Sequence, residues 1–436
     1  MYLSSCHQGL QIARRFSTTS LNYANQRCRV LIVGGGSGGT AVAAKLCRKY
    51  GAGHVVVLDP SERHYYQPLF TLIGGGMKSF KQSYKPMKDV LPSKAVWKKD
   101  CAIKFYPKSN KVDTANGDTI EYEYMVVATG IELNYNKIPG LVEALEDPTN
   151  NVVSDYSPRY VDNVFKAFQS FKGGNAIFTY PTGPVKCPGG PQKICYIFDH
   201  YLRKNNKREA TKIYFNTSLG VIFGIKHYAD SLWEIAKSRD VNVNLNTNLV
   251  AVSPNGREAT FENLLTKKRT VMDFELLHVV PPMSTPASLS KHSGDLVDQM
   301  GFVDVNKHSM QSIKYPNVFA IGDCSNSPNS KTVAAIAAQC NVVFKNLVDV
   351  MDGKEPSKSY GGYTSCPLVT GYNKSILIEF DYSLQPLETF PFDQSKERLS
   401  LLLLKKDLMA PLYWHGFVNG IWNGPGFVRK ALNLFR

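Results

Sequence analysis

Residues 30–39 read Val-Leu-Ile-Val-Gly-Gly-Gly-Ser-Gly-Gly, and this stretch limits the possible folds more than any other. Four apolar residues predict a buried strand. The glycines after them leave no side chain in the way of a phosphate, and residues 40–46 (Thr-Ala-Val-Ala-Ala-Lys-Leu) are small and helix-compatible. Strand, glycine turn and helix together hold a pyrophosphate on backbone N–H groups at a helix N-terminus. Gly34, Gly36 and Gly39 take the three fingerprint positions, with Ser37 and Gly38 between them. Asp59 follows Gly39 by 20 residues, at the end of the apolar run His54–Leu58, where a ribose-binding carboxylate belongs. A glycine-rich turn in an ordinary α/β unit is the alternative. The strand–turn–helix context with its acid favours a dinucleotide site.

With 436 residues the chain is too long for one compact core and predicts two or three domains. Its net charge is +15, and the excess sits at the ends. No Asp or Glu precedes Asp59 and none follows Asp407. Charge of this kind does not argue for nucleic acid, because no basic stripe with interleaved aromatics occurs centrally. Residues 1–24 carry Arg14, Arg15 and several Ser/Thr, no acid, and no continuous apolar run. That pattern predicts a mitochondrial transit peptide, with a disordered basic tail as the alternative. Nine cysteines occur, without CxxC or Cys/His spacing, which argues against zinc, covalent haem and a thioredoxin-type dithiol. No metal site is expected.

Along the chain, Gln67 lies in an aromatic, proline-containing loop, where it either reaches a cofactor or is a surface polar residue. Residues 95–106 and 119–128 predict strands either side of an Asn116-Gly117 turn. The second ends at Ala128-Thr129-Gly130, closing the first dinucleotide domain. A strand near 175–180 follows, and a second glycine fingerprint for a nicotinamide dinucleotide would come next. The chain instead has Pro-Thr-Gly-Pro-Val-Lys-Cys-Pro-Gly-Gly-Pro-Gln-Lys at 181–193. Proline lacks an N–H and fixes φ, so this loop cannot cradle a pyrophosphate. Cys187 sits inside it, with Lys186 beside it, Lys193 nearby and a helix expected over 194–204. Lysines and a helix N-terminus both favour thiolate over thiol. A buried structural cysteine is the alternative.

A strand over 211–218, an amphipathic helix over 226–239 and an antiparallel meander over 241–280 with an Asn255-Gly256 turn complete a second α/β domain. Residues 315–324 predict a strand ending at Gly322-Asp323, and 330–350 an Ala-rich helix opening with Ser330-Lys331-Thr332. Asp323 is placed to accept from a ribityl hydroxyl. Cys366 lies in another Gly/Pro-bounded loop, 179 residues beyond Cys187. Residues 408–428 are uncharged but interrupted by Pro and Gly. Tyr413, Trp414, Phe417, Trp422, Phe427 and Phe435 are residues that favour the membrane interface, and the flanks are basic. Monotopic attachment is expected, with burial in the core or in a dimer interface as the alternative.

The glycine fingerprint, Asp59, Ala128-Thr129-Gly130 and Gly322-Asp323 resemble the two-domain flavoprotein disulfide reductases. The loops around Cys187 and Cys366, with Glu-Thr-Phe-Pro-Phe-Asp-Gln-Ser-Lys-Glu-Arg at 388–398, resemble the mitochondrial branch of the sulfide:quinone oxidoreductase family. The resemblance implies an α/β fold of two Rossmann-like domains and a C-terminal membrane-associating segment. Its parts are 28–150 with 300–350 (FAD-binding), 151–299 (carrying Cys187) and 351–436 (carrying Cys366 and the interfacial anchor). It implies FAD held at Gly34, Gly36, Ser37, Gly38, Gly39, Asp59, Gln67, Ala102, Thr129, Gly130, Asp323 and Lys331. It implies a Cys187–Cys366 sulfur bridge that hydrogen sulfide attacks, leaving a persulfide on Cys366. Two electrons then pass through FAD to ubiquinone, and a small thiophilic acceptor such as glutathione or sulfite removes the sulfur. Lys193 and Lys405 are candidates to stabilise sulfur anions; the alternative for each is a solvated surface lysine. The implied location is the mitochondrial inner membrane, with a homodimer possible. A type-II NADH:quinone oxidoreductase-like flavoprotein and a non-enzymatic flavin-binding redox sensor are the competing readings.

Overall fold

The computed structural model describes residues 26–254 and 257–433. The transit-peptide reading at 1–24, the Asn255-Gly256 turn and Phe435 lie outside the described residues.

The first sheet starts with β1 (Gln26–Val33), followed by α1 (Ser37–Tyr50) and β2 (Val55–Leu58). Val30–Val33 and Val55–Leu58 are buried throughout, as the parallel core of an α/β sheet requires. β3 (Val96–Lys98) extends the edge beyond β2. The expected strand over 95–106 is two strands. Asp100 accepts from the N–H groups of Cys101 and Asn116 and breaks the run, so β4 (Ala102–Tyr106) begins separately. β4 turns at Asn110 (φ 55°) into β5 (Lys111–Thr114), and Asn116-Gly117 joins β5 to β6 (Thr119–Val127). One flank of β6 lies parallel to β1 along almost its whole length. Its other flank pairs first with β5 and then, at Met125–Val127, with a strand from far downstream.

The second sheet is all parallel, ordered β7-β14-β8-β9-β10. Its strands are β7 (Val152–Val153), β8 (Gly174–Tyr180), β9 (Thr211–Thr217), β10 (Val241–Asn244) and, after an excursion, β14 (Leu276–His278). Helices α2 (Gly190–Lys204) and α3 (Lys226–Ser238) connect its strands. The expected meander over 241–280 is thus divided. β10 and β14 belong to the parallel sheet. Only β11 (Thr247–Val252), β12 (Glu258–Asn263) and β13 (Arg269–Asp273) form the antiparallel unit. Alternating burial along β12 fits a sheet with one wet face.

The chain then returns to the first sheet through β15 (Val318–Ala320) and α4 (Val333–Met351), before a two-stranded ribbon, β16 (Thr364–Gly371) and β17 (Lys374–Phe380). Among the described residues α4 is the one helix long and apolar enough to cross a membrane, and most of it is buried in the fold. From Leu399 to Phe417 α-helical turns alternate with wider π-helical turns, and α5 (Gly426–Asn433) ends the described chain. Burial divides the aromatic residues of this segment. Phe427 is exposed, and Trp414 and Trp422 are half-buried. Tyr413 and Phe417 instead point inward and are buried against the first domain.

Close packing sets the turn after β1. A Cβ on Gly39 would lie 1.8 Å from the carbonyl oxygen of Gly34. Gly39→Ala is therefore expected to force the turn open at a cost of about 1–3 kcal/mol. Thermal unfolding should show a midpoint several degrees lower; an unchanged midpoint would mean that the turn has slack.

Candidate active site

A cavity of about 570 Å³ runs from the glycine turn to the junction of both sheets with the C-terminal segment. Gly34, Gly36, Ser37, Gly38, Asp59, Gln67, Thr129, Gly130, Asp323, Lys331, Cys187, Lys193, Cys366 and Lys405 all line it. Two expected residues do not. Gly39 faces the backbone of β1 and allows α1 to pack. Ala102 is fully buried in β4, opposite Thr114.

At the glycine end, α1 begins with no side-chain cap and no acid in its first turn. Its N–H groups are left for an anion. A Cβ at Gly36 would meet nothing within 4 Å, so the turn faces open space. Asp59 is 5% exposed and aimed by its own backbone contacts. Its Oδ2 accepts from Gly35 N–H at 2.7 Å and its Oδ1 from Ser61 N–H at 2.7 Å. The residues present therefore fit a dinucleotide: donors for the pyrophosphate, a fixed carboxylate for the ribose, and room between them. Further in, Thr332 caps α4 by accepting from Ala335 N–H at 3.1 Å. Lys331 donates to the Asp323 carbonyl at 2.7 Å, holding the Gly322-Asp323 turn against that helix start.

The sulfur end is built from three segments. Cys187 sits at φ 50°, a left-handed conformation that a non-glycine residue adopts only under constraint. Its N–H donates to the Lys331 carbonyl at 2.8 Å, while its carbonyl accepts from Gly190 N–H at 2.8 Å and the Tyr156 hydroxyl at 3.0 Å. Helix α2 starts at Gly190, four residues before the expected onset at 194, so Cys187 lies directly at the helix entrance. Cys366, on β16, faces it. A Cβ on Gly189 would lie 2.7 Å from the Cys366 sulfur, so a glycine is required for this approach. Both cysteines are free in this structure, with no disulfide between them.

Their environments separate their acidities. A hydrogen bond from Cys366 drives Cys187 well below the usual thiol range, against burial, and Lys193 and Lys405 push the same way. Cys366 is raised well above that range by the same hydrogen bond and by burial. Cys187 is thus the thiolate and Cys366 the thiol. Lys193 Nζ donates to the Cys187 sulfur at 3.2 Å. Burial opposes its charge, but the facing sulfurs raise it above the ordinary lysine range. Lys405 donates to the Pro68 carbonyl at 2.9 Å, and burial, aided by Lys193, lowers it to about 7. Both lysines are 3% exposed, so neither is a solvated surface residue.

His64 and Tyr413 carry no sequence motif, yet they join the glycine turn to the C-terminal segment. His64 Nδ1 lies 3.0 Å from the Gly35 carbonyl, its Nε2 2.6 Å from the Tyr413 hydroxyl, and that hydroxyl 2.8 Å from Ser37 Oγ. A carbonyl only accepts, so Nδ1 carries the proton, Tyr413 donates to Nε2, and Ser37 donates to Tyr413. Burial lowers His64 to about 4, keeping it neutral. Only its position between a buried loop and a distant tyrosine reveals this role. Leu377, Phe390, Leu404, Leu408, Leu412 and Val428 add an apolar part to the cavity lining.

Lys405 has a stability signature. Between its folded value of about 7 and an unfolded value of about 10.4 the unfolded chain binds more protons, so its contribution to stability rises with pH in that window. Lys405→Met should unfold at a higher temperature than the native protein at pH about 7, with the gap closing towards pH about 10. A gap that stays constant across this range would contradict the assignment.

The sequence model of the pyridine nucleotide-disulphide oxidoreductases matches residues 28–162 and 203–338. The Cys187 loop falls in the unmatched stretch between them. The mitochondrial sulfide:quinone oxidoreductase of Mus musculus is 48% identical over 412 residues, covering 94% of this chain and 91% of that protein. The solved sulfide:quinone oxidoreductase of Aquifex aeolicus superposes with a TM-score of 0.78 at 20% identity, over 94% of this chain and 95% of the other. The NDH2 of Plasmodium falciparum, solved with NADH, reaches a TM-score of 0.52 at 15% identity, over 69% of this chain and 64% of that one. The two structural likenesses concern the fold alone.

Proposed function

The chain belongs to the pyridine nucleotide-disulphide oxidoreductases and, within them, to the mitochondrial sulfide:quinone oxidoreductases, and on this basis we propose that Cys187 and Cys366 are its reacting sulfurs. The protein is a mitochondrial, FAD-dependent enzyme that oxidises sulfide and reduces quinone. When bound, FAD accepts the electron pair released by sulfur and passes it to quinone. The Gly34–Gly38 turn would hold its pyrophosphate, Asp59 a ribose, and Asp323 and Lys331 the ribityl chain.

One observation supports the sulfur assignment above all: two thiols from segments 179 residues apart face each other inside the same cavity as the dinucleotide turn. In the oxidised pair, hydrosulfide attacks Cys366. A new sulfur–sulfur bond forms there, the Cys187–Cys366 bond breaks, and Cys187 leaves as a thiolate. Lys193, at 3.2 Å, stabilises that anion, as does the start of α2. A low-pKa leaving sulfur makes the exchange fast. A small thiophilic acceptor, glutathione or sulfite, then removes the outer sulfur from Cys366. A nicotinamide-dependent reading lacks support, because a proline-rich cysteine loop stands where the second fingerprint would be.

The apolar arm of the cavity is the route for ubiquinone, and its rim is the surface that meets the inner membrane. On the C-terminal segment Leu399, Leu403, Leu408, Ile421 and Phe427 are exposed, each at least 46%. Lys85, stacked over Trp414 at 5.0 Å, and the exposed Lys430 suit anionic headgroups.

Cys187→Ser and Cys366→Ser are expected to retain FAD absorbance but lose bleaching of the flavin by sulfide. Undiminished bleaching in both would overturn the assignment. With vesicles containing anionic lipid, the native protein should co-float, and a double Ile421→Ser/Phe427→Ser protein should bind about ten-fold less. Equal flotation would remove this rim from the membrane face.

A further inference from the structure

Sulfur transfer to a thiol acceptor has a proton to dispose of, and the machinery described so far does not take it. A free thiol has a pKa near 8.5, so at neutral pH most of the acceptor arrives protonated. The cavity wall beside Cys187 contains an unassigned pair suited to this task. Asp155 is 3% exposed and lines the cavity. Its Oδ1 lies 2.9 Å from Nε2 of His278, which is fully buried at the end of β14 and stacked on Phe178.

His278 Nδ1 is buried without a hydrogen-bond partner among the described residues. Of the two ring nitrogens only Nε2 thus has partners, and both belong to Asp155: its Oδ1 at 2.9 Å and its N–H at 3.4 Å. His278 therefore aims Asp155 through that single ring nitrogen. The other groups facing Asp155 are Tyr135, Tyr156 and Lys186. Tyr156, the next residue, donates to the Cys187 carbonyl, which places this wall against the cysteine pair. The Lys186 side chain makes no hydrogen bond or ion pair among the described residues and lines the same wall, while its N–H donates to the Met283 sulfur at 3.3 Å. Burial lowers its pKa to about 8, while Asp323, Cys187 and Asp155 favour its charged form.

Building on the reading above, we propose that Asp155 is the base that accepts the proton of a thiol acceptor, with Lys186 holding the resulting thiolate and His278 positioning Asp155. The thiol S–H bond breaks and its proton goes to the free carboxylate oxygen of Asp155. The thiolate attacks the outer sulfur of the Cys366 persulfide. A new sulfur–sulfur bond forms to the acceptor, the bond to the Cys366 sulfur breaks, and Cys366 leaves as a thiolate. No external electrons are needed. Asp155 is catalytic because it meets the substrate proton; His278 is a positioning residue. An anionic acceptor such as sulfite dianion has no proton to give up, so the step predicts a difference between acceptor classes.

The test uses FAD-loaded enzyme with saturating sulfide and a soluble quinone, and measures kcat/KM for glutathione and for sulfite from pH about 6.5 to 8.5. For the native enzyme, kcat/KM for glutathione should be nearly flat from pH about 6.5 to about 7.5 and fall only as Lys186 loses its charge around pH about 8. In Asp155→Asn it should fall about ten-fold for each pH unit below the thiol pKa, because only free thiolate then reacts. The variant-to-native ratio for sulfite should not vary with pH. Equal pH dependence of the two proteins with glutathione, or the same pH-dependent loss with both acceptors, would overturn the proposal. If Asp155→Asn fails to fold, the native profile alone decides: a glutathione rate that tracks the thiolate fraction excludes a base. Bleaching of native flavin by sulfide, measured without acceptor, reports separately on the cysteine assignment.

Discussion

A thiolate buried beside a protonated lysine is the interaction on which the site depends. An unpaired charge in that position would be too costly to bury, and two adjacent thiolates would repel. The structure avoids both. One proton lies on Cys366 and is shared towards Cys187, and Lys193 supplies the compensating positive charge. Lys405, close to the same sulfurs and lowered to about 7, limits how much positive charge accumulates. The left-handed backbone at Cys187 is tolerated because three hydrogen bonds, from Gly190 and Tyr156 and to Lys331, fix the residue.

The same contacts join segments that are distant in sequence. The Cys187–Lys331 backbone bond ties the second domain to the turn that opens α4. Ser37, Tyr413 and His64 tie the C-terminal segment to the glycine turn. Consequently the half of Leu399–Phe417 that looks membrane-seeking by composition is in part an inner wall of the dinucleotide cavity. Tyr413 and Phe417 were expected outside because aromatic content alone cannot separate a lipid-facing ring from one packed on another domain. In the structure the Tyr413 ring packs against Tyr66, with 4.3 Å between centroids and a tilt of 32°.

Local pattern made much of the fold legible. An apolar run, a glycine turn and a spaced acid specify a Rossmann-like unit through backbone geometry that short sequence encodes, and Val30–Val33, Ser37–Tyr50 and Asp59 sit where that pattern requires. Element boundaries were less legible where side chains redirect the backbone. Asp100 splits one expected strand into β3 and β4, and parallel pairing with β9 removes β10 from the expected meander. Neither pairing is written within a window of ten residues.

The sequence by itself determined that the chain carries one dinucleotide turn and a cysteine loop in place of a second, because glycine and proline act on their own backbone. Only the tertiary structure decided that Cys366 meets Cys187 over Gly189, that Lys193 and Lys405 are buried beside them, and that Asp155 with His278 completes the wall. These are contacts between residues brought together by the docking of two sheets and a C-terminal segment. Acidity, burial and hydrogen-bond partners belong to the assembled cavity, since they depend on which groups share a low-dielectric space and not on which are neighbours along the chain.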